Sequence, residues 1–146
     1  MRYWDASALI PLVIAEPATK RVRSWIERDA SIVTWAWTRV EITGAVERRA
    51  REGLLSRQQR RDALARFDAL ASAWDEVTDV LAVRTRAIPL LARHPLRAAD
   101  AAQLGAALLV TEPDFTAVPF VCLDERLAAA AEREGLIVLS DFHEPS

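Results

Sequence analysis

The chain has 146 residues, 51% of them hydrophobic and 27% charged, with 19 basic and 21 acidic side chains for a formal net charge of −2. This is one domain's worth of sequence with enough apolar residues for a single core, so residues 1–146 read as one unit and intrinsic disorder is excluded. So small a net charge also excludes attraction to nucleic acid by the surface as a whole; any such binding needs a local patch.

In chain order, "RYWD" (2–5) reads as a short strand, and an apolar helix opens directly after Asp5. The run "ALIPLVIA" imitates a signal peptide only superficially, being short, broken by Pro11 and preceded by an acid. A helix follows at 17–29, a strand at 31–35 ("SIVTW"), helices at 38–52 and 57–73, and a strand at 75–80 ("DEVTDV"). Helices at 81–93 and 98–111 come next, then a proline-bearing loop over 111–119, a strand at 119–124 ("PFVCLD"), a helix at 125–134 and a strand at 136–140 ("LIVLS"). Gly53 and Gly135 stand where helix stops belong. Short apolar strands alternating with helices predict an α/β domain built on a parallel sheet.

Cys122 is the single cysteine, which rules out an internal disulfide, and no stretch approaches the roughly 20 apolar residues that span a bilayer; both point to a cytoplasmic protein without a membrane partner. Lys20 is the only lysine, so guanidinium forks supply nearly all the positive charge. The four glycines form neither a phosphate-binding loop nor a dinucleotide fingerprint. His94 and His143 stand alone, without zinc spacing, and read as loop or surface residues.

What remains is a set of acids. Asp5 and Asp124 each follow an apolar strand and precede a helix, which puts both at the carboxyl edge of a parallel sheet, where α/β proteins hold ligands. Asp100 opens a helix in "LRAADAAQLGAAL", and Glu41 lies on a helix whose face continues through Ala45 and Arg48. Each Asp also stands where a helix cap belongs, and Asp100 with Gln103 has capping-box spacing, so capping and ligation both stay open. Should the four carboxylates converge, mutual repulsion and desolvation would raise their pKa values, and a hard cation such as Mg²⁺ or Mn²⁺ would relieve the conflict. Such an ion acting on a phosphodiester is nuclease chemistry.

"YWDASAL", "VEITGAVERR", "HPLRAADAAQLGAAL" and "FVCLDERLAAAAEREGL" together resemble, in order and spacing, the motifs of PIN-domain ribonucleases, specifically toxins of VapC type from toxin–antitoxin pairs. The resemblance implies a PIN-like three-layer α/β/α sandwich around a central, mainly parallel sheet. It also implies Mg²⁺- or Mn²⁺-dependent cleavage of RNA to 5′-phosphate and 3′-hydroxyl ends, a homodimer, and inhibition by a cognate antitoxin protein. By motif match Asp5, Glu41, Asp100 and Asp124 take the places of the family's catalytic, metal-holding acids. Ser7 matches a hydroxyl beside that site, positioned for a water or a phosphate oxygen, and Arg97 is placed to touch a substrate phosphate. The chain departs from the pattern at Cys122, where the family often carries Thr or Ser. The arginines from Arg48 to Arg66 read either as a solvated face or as a phosphate grip, and the five tryptophans as core, interface or base-stacking residues. Two other readings compete: a catalytically silent PIN-fold interaction module, and an Asp-based phosphotransferase or phosphatase, which would want an acid at position 7 or a well-placed lysine.

Overall fold

The computed structural model describes residues 1–141; His143 lies outside them. Five strands, β1 (Arg2–Trp4), β2 (Ile32–Trp35), β3 (Asp75–Val77), β4 (Phe120–Val121) and β5 (Val138–Leu139), form one sheet in the order β3-β2-β1-β4-β5. Every pairing is parallel, with Tyr3 opposite Val33 on one side and Phe120 on the other. The mainly parallel sheet expected from sequence is therefore wholly parallel among the described residues.

Seven helices connect the strands: α1 (Ala6–Val13), α2 (Thr19–Arg28), α3 (Thr38–Arg51), α4 (Arg57–Ala71), α5 (Val80–Arg93), α6 (Ala98–Thr111) and α7 (Glu125–Arg133). Alternation along each strand sends neighbouring side chains to opposite faces. Tyr3, Val33 and Phe120 pack into one core with α5, α6 and α7, while Trp4, Ile32 and Val121 pack into a second core with α1, α2, α3 and α4. The result is helices on both faces of a central sheet. No helix is long and apolar enough to cross a membrane among the described residues.

The strand order positions the site. From β1 the chain steps through α1 and α2 to β2 and on to β3, then returns through α5 and α6 to β4 on the other side of β1. The order reverses at β1, and the carboxyl edge beside such a reversal is left open as a crevice. Gly53 and Gly135 adopt φ of 75° and 98° just past α3 and α7, the left-handed conformation that ends a helix most easily at glycine. Strand 75–80 is shorter than the sequence pattern implies, because Asp79 caps α5 with its side chain on the Ala82 amide (3.0 Å) and the chain turns away after Val77.

Candidate active site

A cleft of about 920 Å³ opens at the carboxyl edge of the sheet, lined by Asp5, Glu41, Asp100 and Asp124 together with Ser7, Arg48, Arg51, Arg97 and Arg126. All six residues singled out from sequence reach this one cleft. The reason is local. Asp5 and Asp124 are the N-caps of α1 and α7, and Glu41 and Asp100 lie in the first turns of α3 and α6. In a parallel sheet each strand delivers the start of the following helix to the carboxyl edge, which places the N-termini of α1, α3 and α7 there; α6 follows α5 instead and adds a fourth N-terminus to the cleft, and the partial positive charge of the four offsets part of the repulsion among the acids.

Asp5 is the most enclosed, at 3% exposure, and its amide donates to the Val121 carbonyl at 3.0 Å, which fixes it between β1 and β4. Its Oδ2 accepts from the Ser7 amide (3.2 Å), from the Ser7 hydroxyl in a short contact, and from Cys122 Sγ (3.6 Å). Ser7 Oγ also accepts from the Leu123 amide at 2.9 Å, so its hydroxyl ties α1 to the end of β4. Cys122, read from sequence as a small buried apolar residue, is fully buried but also donates a weak S–H bond to the acid. Burial pushes the Asp5 carboxyl up to about 6 against the opposing bonds from Ser7, and the charge of Asp100 adds to the rise.

Glu41 is half-buried. Its Oε1 accepts from Gln103 Nε2 at 3.0 Å, and burial pushes its carboxyl up to about 7, with Asp5 and Asp100 contributing. Asp100 is raised by burial first and by the charge of Asp124 second, while the Arg97 amide and guanidinium pull it down. Asp124 caps α7 through the Leu127 amide at 2.9 Å.

Capping accounts for two of the four acids in full view. Asp5 and Asp124 cap; Asp100 does not, because Arg97 is the N-cap of α6 and Asp100 sits three residues inside. The expected Asp100–Gln103 capping box is absent for a physical reason: Gln103 points into the core, fully buried. It accepts from Tyr3 Oη (2.6 Å) and donates to Thr38 Oγ1 (2.9 Å) and Glu41 Oε1. Thr38 in turn bonds Thr34 Oγ1 at 2.7 Å, and Thr34 donates to the Trp4 carbonyl at 2.7 Å. A buried polar chain thus runs from β1 through β2 to Glu41. Sequence reasoning missed it, although a glutamine inside an Ala- and Leu-rich helix was the available signal.

The arginine run divides. Arg49 pairs with Glu16, Arg60 pairs with Glu47, and Arg66 donates to the Val13 carbonyl, so these three hold α3 and α4 to their neighbours. Arg48 and Arg51 line the cleft, as does Arg126, which sequence reasoning passed over. No tryptophan lines it; Trp4, Trp25, Trp35 and Trp74 are core residues and Trp37 is exposed elsewhere. His94, expected at the surface, is 7% exposed because α5 ends there and its Nε2 meets Glu134 at 3.1 Å, away from the cleft.

Among the described residues, no three His, Cys, Asp or Glu side chains stand close enough together to hold a metal ion as a ready-made cage. The donor set is nonetheless all oxygen, and two of its carboxyls are held up near neutrality by their surroundings. That chemistry fits a hard divalent cation which takes one or two carboxylates directly and keeps several waters.

No family model matches the chain, and no curated protein matches it. A solved structure does. The crystal structure of PAE2754 from Pyrobaculum aerophilum superposes with a TM-score of 0.65 at 21% sequence identity, covering 94% of this chain and 89% of that one. At that identity the likeness concerns the fold, and the α/β architecture is shared over nearly the whole length.

Proposed function

We propose that the chain is a metal-dependent endoribonuclease of the PIN-domain, VapC type, with a PIN-like three-layer α/β/α sandwich. The observation that carries the reading is the gathering of Asp5, Glu41, Asp100 and Asp124 in one cleft at the carboxyl edge beside the strand reversal. Asp5 and Asp100 would hold Mg²⁺ or Mn²⁺ directly, with Glu41 and Asp124 holding its waters. When bound, the cation neutralises phosphate oxygens and acidifies water for in-line attack on phosphorus. The chain's own groups do the positioning. Ser7 and Cys122 hold Asp5 Oδ2, and Gln103 holds Glu41 Oε1, so each carboxyl keeps its second oxygen for the cleft. Water adds to phosphorus, the bond to the 3′ oxygen breaks and that oxygen takes a proton, leaving 5′-phosphate and 3′-hydroxyl ends.

A cytoplasmic toxin of this kind acts with a cognate antitoxin and as a homodimer. The dimer has apolar surface on offer, since Trp37 and Val40 on and before α3 and Val80, Leu81, Ile88 and Leu91 on α5 are all exposed. A second reading, a PIN-fold interaction module without activity, draws on the acids standing too far apart among the described residues to form a ready-made cage. The phosphotransferase reading has no such support: position 7 is serine, and Lys20 lies on α2, outside the cleft lining.

The deciding experiment is digestion of a total-RNA pool by the purified protein with Mg²⁺ or Mn²⁺, with EDTA and Asp100→Asn controls, and sequencing of 5′-phosphorylated ends. Discrete cuts that need both metal and Asp100 are expected. Equal background from wild type and variant, with the protein folded and free of antitoxin, hands the reading to the silent module.

A further inference from the structure

An acidic cleft that cuts a polyanion must also grip it, and the cleft carries four arginines that form no salt bridge among the described residues: Arg48, Arg51, Arg97 and Arg126. All four are exposed and line the same cleft as the acids, and Arg97 acts on Asp100 by its charge without a salt bridge. By contrast Arg39, Arg49, Arg60, Arg86 and Arg93 are each tied to a glutamate. The four come from opposite helical layers. Arg48 and Arg51 are on α3, whose Ile42 and Val46 pack in one core. Arg97 and Arg126 open α6 and α7, whose Leu104 and Leu127 pack in the other. Asp5, at the end of the central strand, lies between the layers.

The spacing along α3 gives the direction of the grip. Glu41, Gly44, Ala45, Arg48 and Arg51 all line the cleft and fall on one helical face, so the two guanidinium groups start about 10 and 15 Å along the axis from Glu41. Between acid and arginines the helix presents Gly44. A Cβ placed there would meet nothing within 4 Å, so packing does not require glycine, although a helix-interior glycine costs about 1 kcal/mol relative to alanine. What the missing side chain leaves is clearance along the α3 side of the cleft, between Glu41 and the two arginines.

We infer that Arg48 and Arg51 on one wall, and Arg97 and Arg126 on the other, form two phosphate-binding subsites either side of the acids, joined across Gly44 by a trough for an unpaired nucleic-acid strand. The inference rests on the nuclease reading for the bond that is cut, and deepens it. A strand held on both sides of Asp5 is cut internally, and an unpaired strand can descend to an acid that is 3% exposed where a duplex cannot. Guanidinium forks suit phosphate oxygens bidentately.

The test separates binding from cutting. Fluorescence anisotropy of a labelled single-stranded RNA of about a dozen nucleotides is measured in EDTA, where nothing is cut, from about 50 to 200 mM salt. Each of Arg48→Gln/Arg51→Gln and Arg97→Gln/Arg126→Gln should weaken binding roughly tenfold or more at low salt and flatten the log–log salt slope by about 1.4, two phosphates at about 0.7 each. Gly44→Trp should weaken binding, while Arg57→Gln/Arg61→Gln, outside the cleft, should leave the slope unchanged. The same sequence as a duplex should bind more weakly. Wild type that does not bind the strand, cleft variants that keep its slope, control variants that lose as much, or a duplex bound equally well would each overturn the inference. Poly-glutamate held as tightly as RNA, and lost in the same variants, would make the cleft a dock for an acidic polypeptide instead. RNA binding with these slopes but no metal-dependent cuts would leave the subsites standing and remove the nuclease reading; cuts with unaltered slopes would do the reverse.

Discussion

Gln103 is where a single side chain decides most. Its amide satisfies Tyr3 Oη, Thr38 Oγ1 and Glu41 Oε1 at once, all in surroundings where an unpartnered polar group costs about 1–3 kcal/mol. Gln103→Leu should therefore lower stability by about 2–4 kcal/mol and, by releasing Glu41, lower kcat of any metal-dependent cleavage at least tenfold with little change in KM. Tyr3→Phe, which removes only one of the three bonds, should cost about 1 kcal/mol and leave kcat within a factor of two. Thermal melts with single-turnover kinetics check both, and equal kinetic losses in the two variants would mean that the network acts through stability alone. The acids were legible in the sequence because each sits at a strand-to-helix transition or in a first helical turn, a signal carried by a few neighbouring residues. Gln103 and Arg126 were not, since what they do depends on which helices the sheet brings together across 60 residues or more.

At the scale of elements, helix limits fell within a residue or two of their sequence signals, because caps and stops are local: Ser56 caps α4 with its full capping box, and glycines close α3 and α7. Strand limits were less legible. β4 and β5 pair over two residues each, although the apolar runs around them extend further, since a ladder ends where its neighbour leaves and the sequence of one strand does not record that. The close approach of α5 and α6 was also invisible. At Gly105 a Cβ would stand 3.0 Å from the Val83 carbonyl oxygen and 3.2 Å from the Ala87 nitrogen, both backbone atoms that cannot swing aside. Gly105→Ala should thus destabilise by about 1–3 kcal/mol despite its better helix propensity. Gly44→Ala, with open space at the same atom, should stabilise by about 0.5–1 kcal/mol. Denaturant melts of the two variants separate steric contact from propensity, and the same sign at both sites would contradict the packing described for α5 and α6.

For the whole molecule, two acids held near neutrality make stability depend on pH and on cations. The carboxyls of Asp5 and Glu41 lie above their ordinary values, at about 6 and about 7, mainly because burial disfavours the charged form. A raised acid binds its proton more tightly when folded, so its contribution to stability is complete below the ordinary carboxylate range and is lost as pH rises through 6 and 7. Asp29, Glu76, Glu112, Asp114 and Glu134, held low by hydrogen bonds or basic partners, act in the opposite direction and lose stabilisation as pH falls through their lowered values. Metal-free protein should be most stable near pH 5 and should lose on the order of 2–4 kcal/mol by pH 8. A divalent cation that takes ionised carboxylates reverses that loss, so Mg²⁺ or Mn²⁺ should raise Tm by several degrees at pH 8 and by little at pH 5. Melting the protein from pH 4 to 9 with EDTA or with cation tests both halves, and Asp5→Asn/Glu41→Gln should flatten the metal-free slope and abolish the cation response. A slope that persists in that double variant would place the pH dependence on Asp100, whose carboxyl is also raised by burial, or outside the cleft, and a cation response equal at pH 5 and pH 8 would mean that the ion does not compete with protons for these acids.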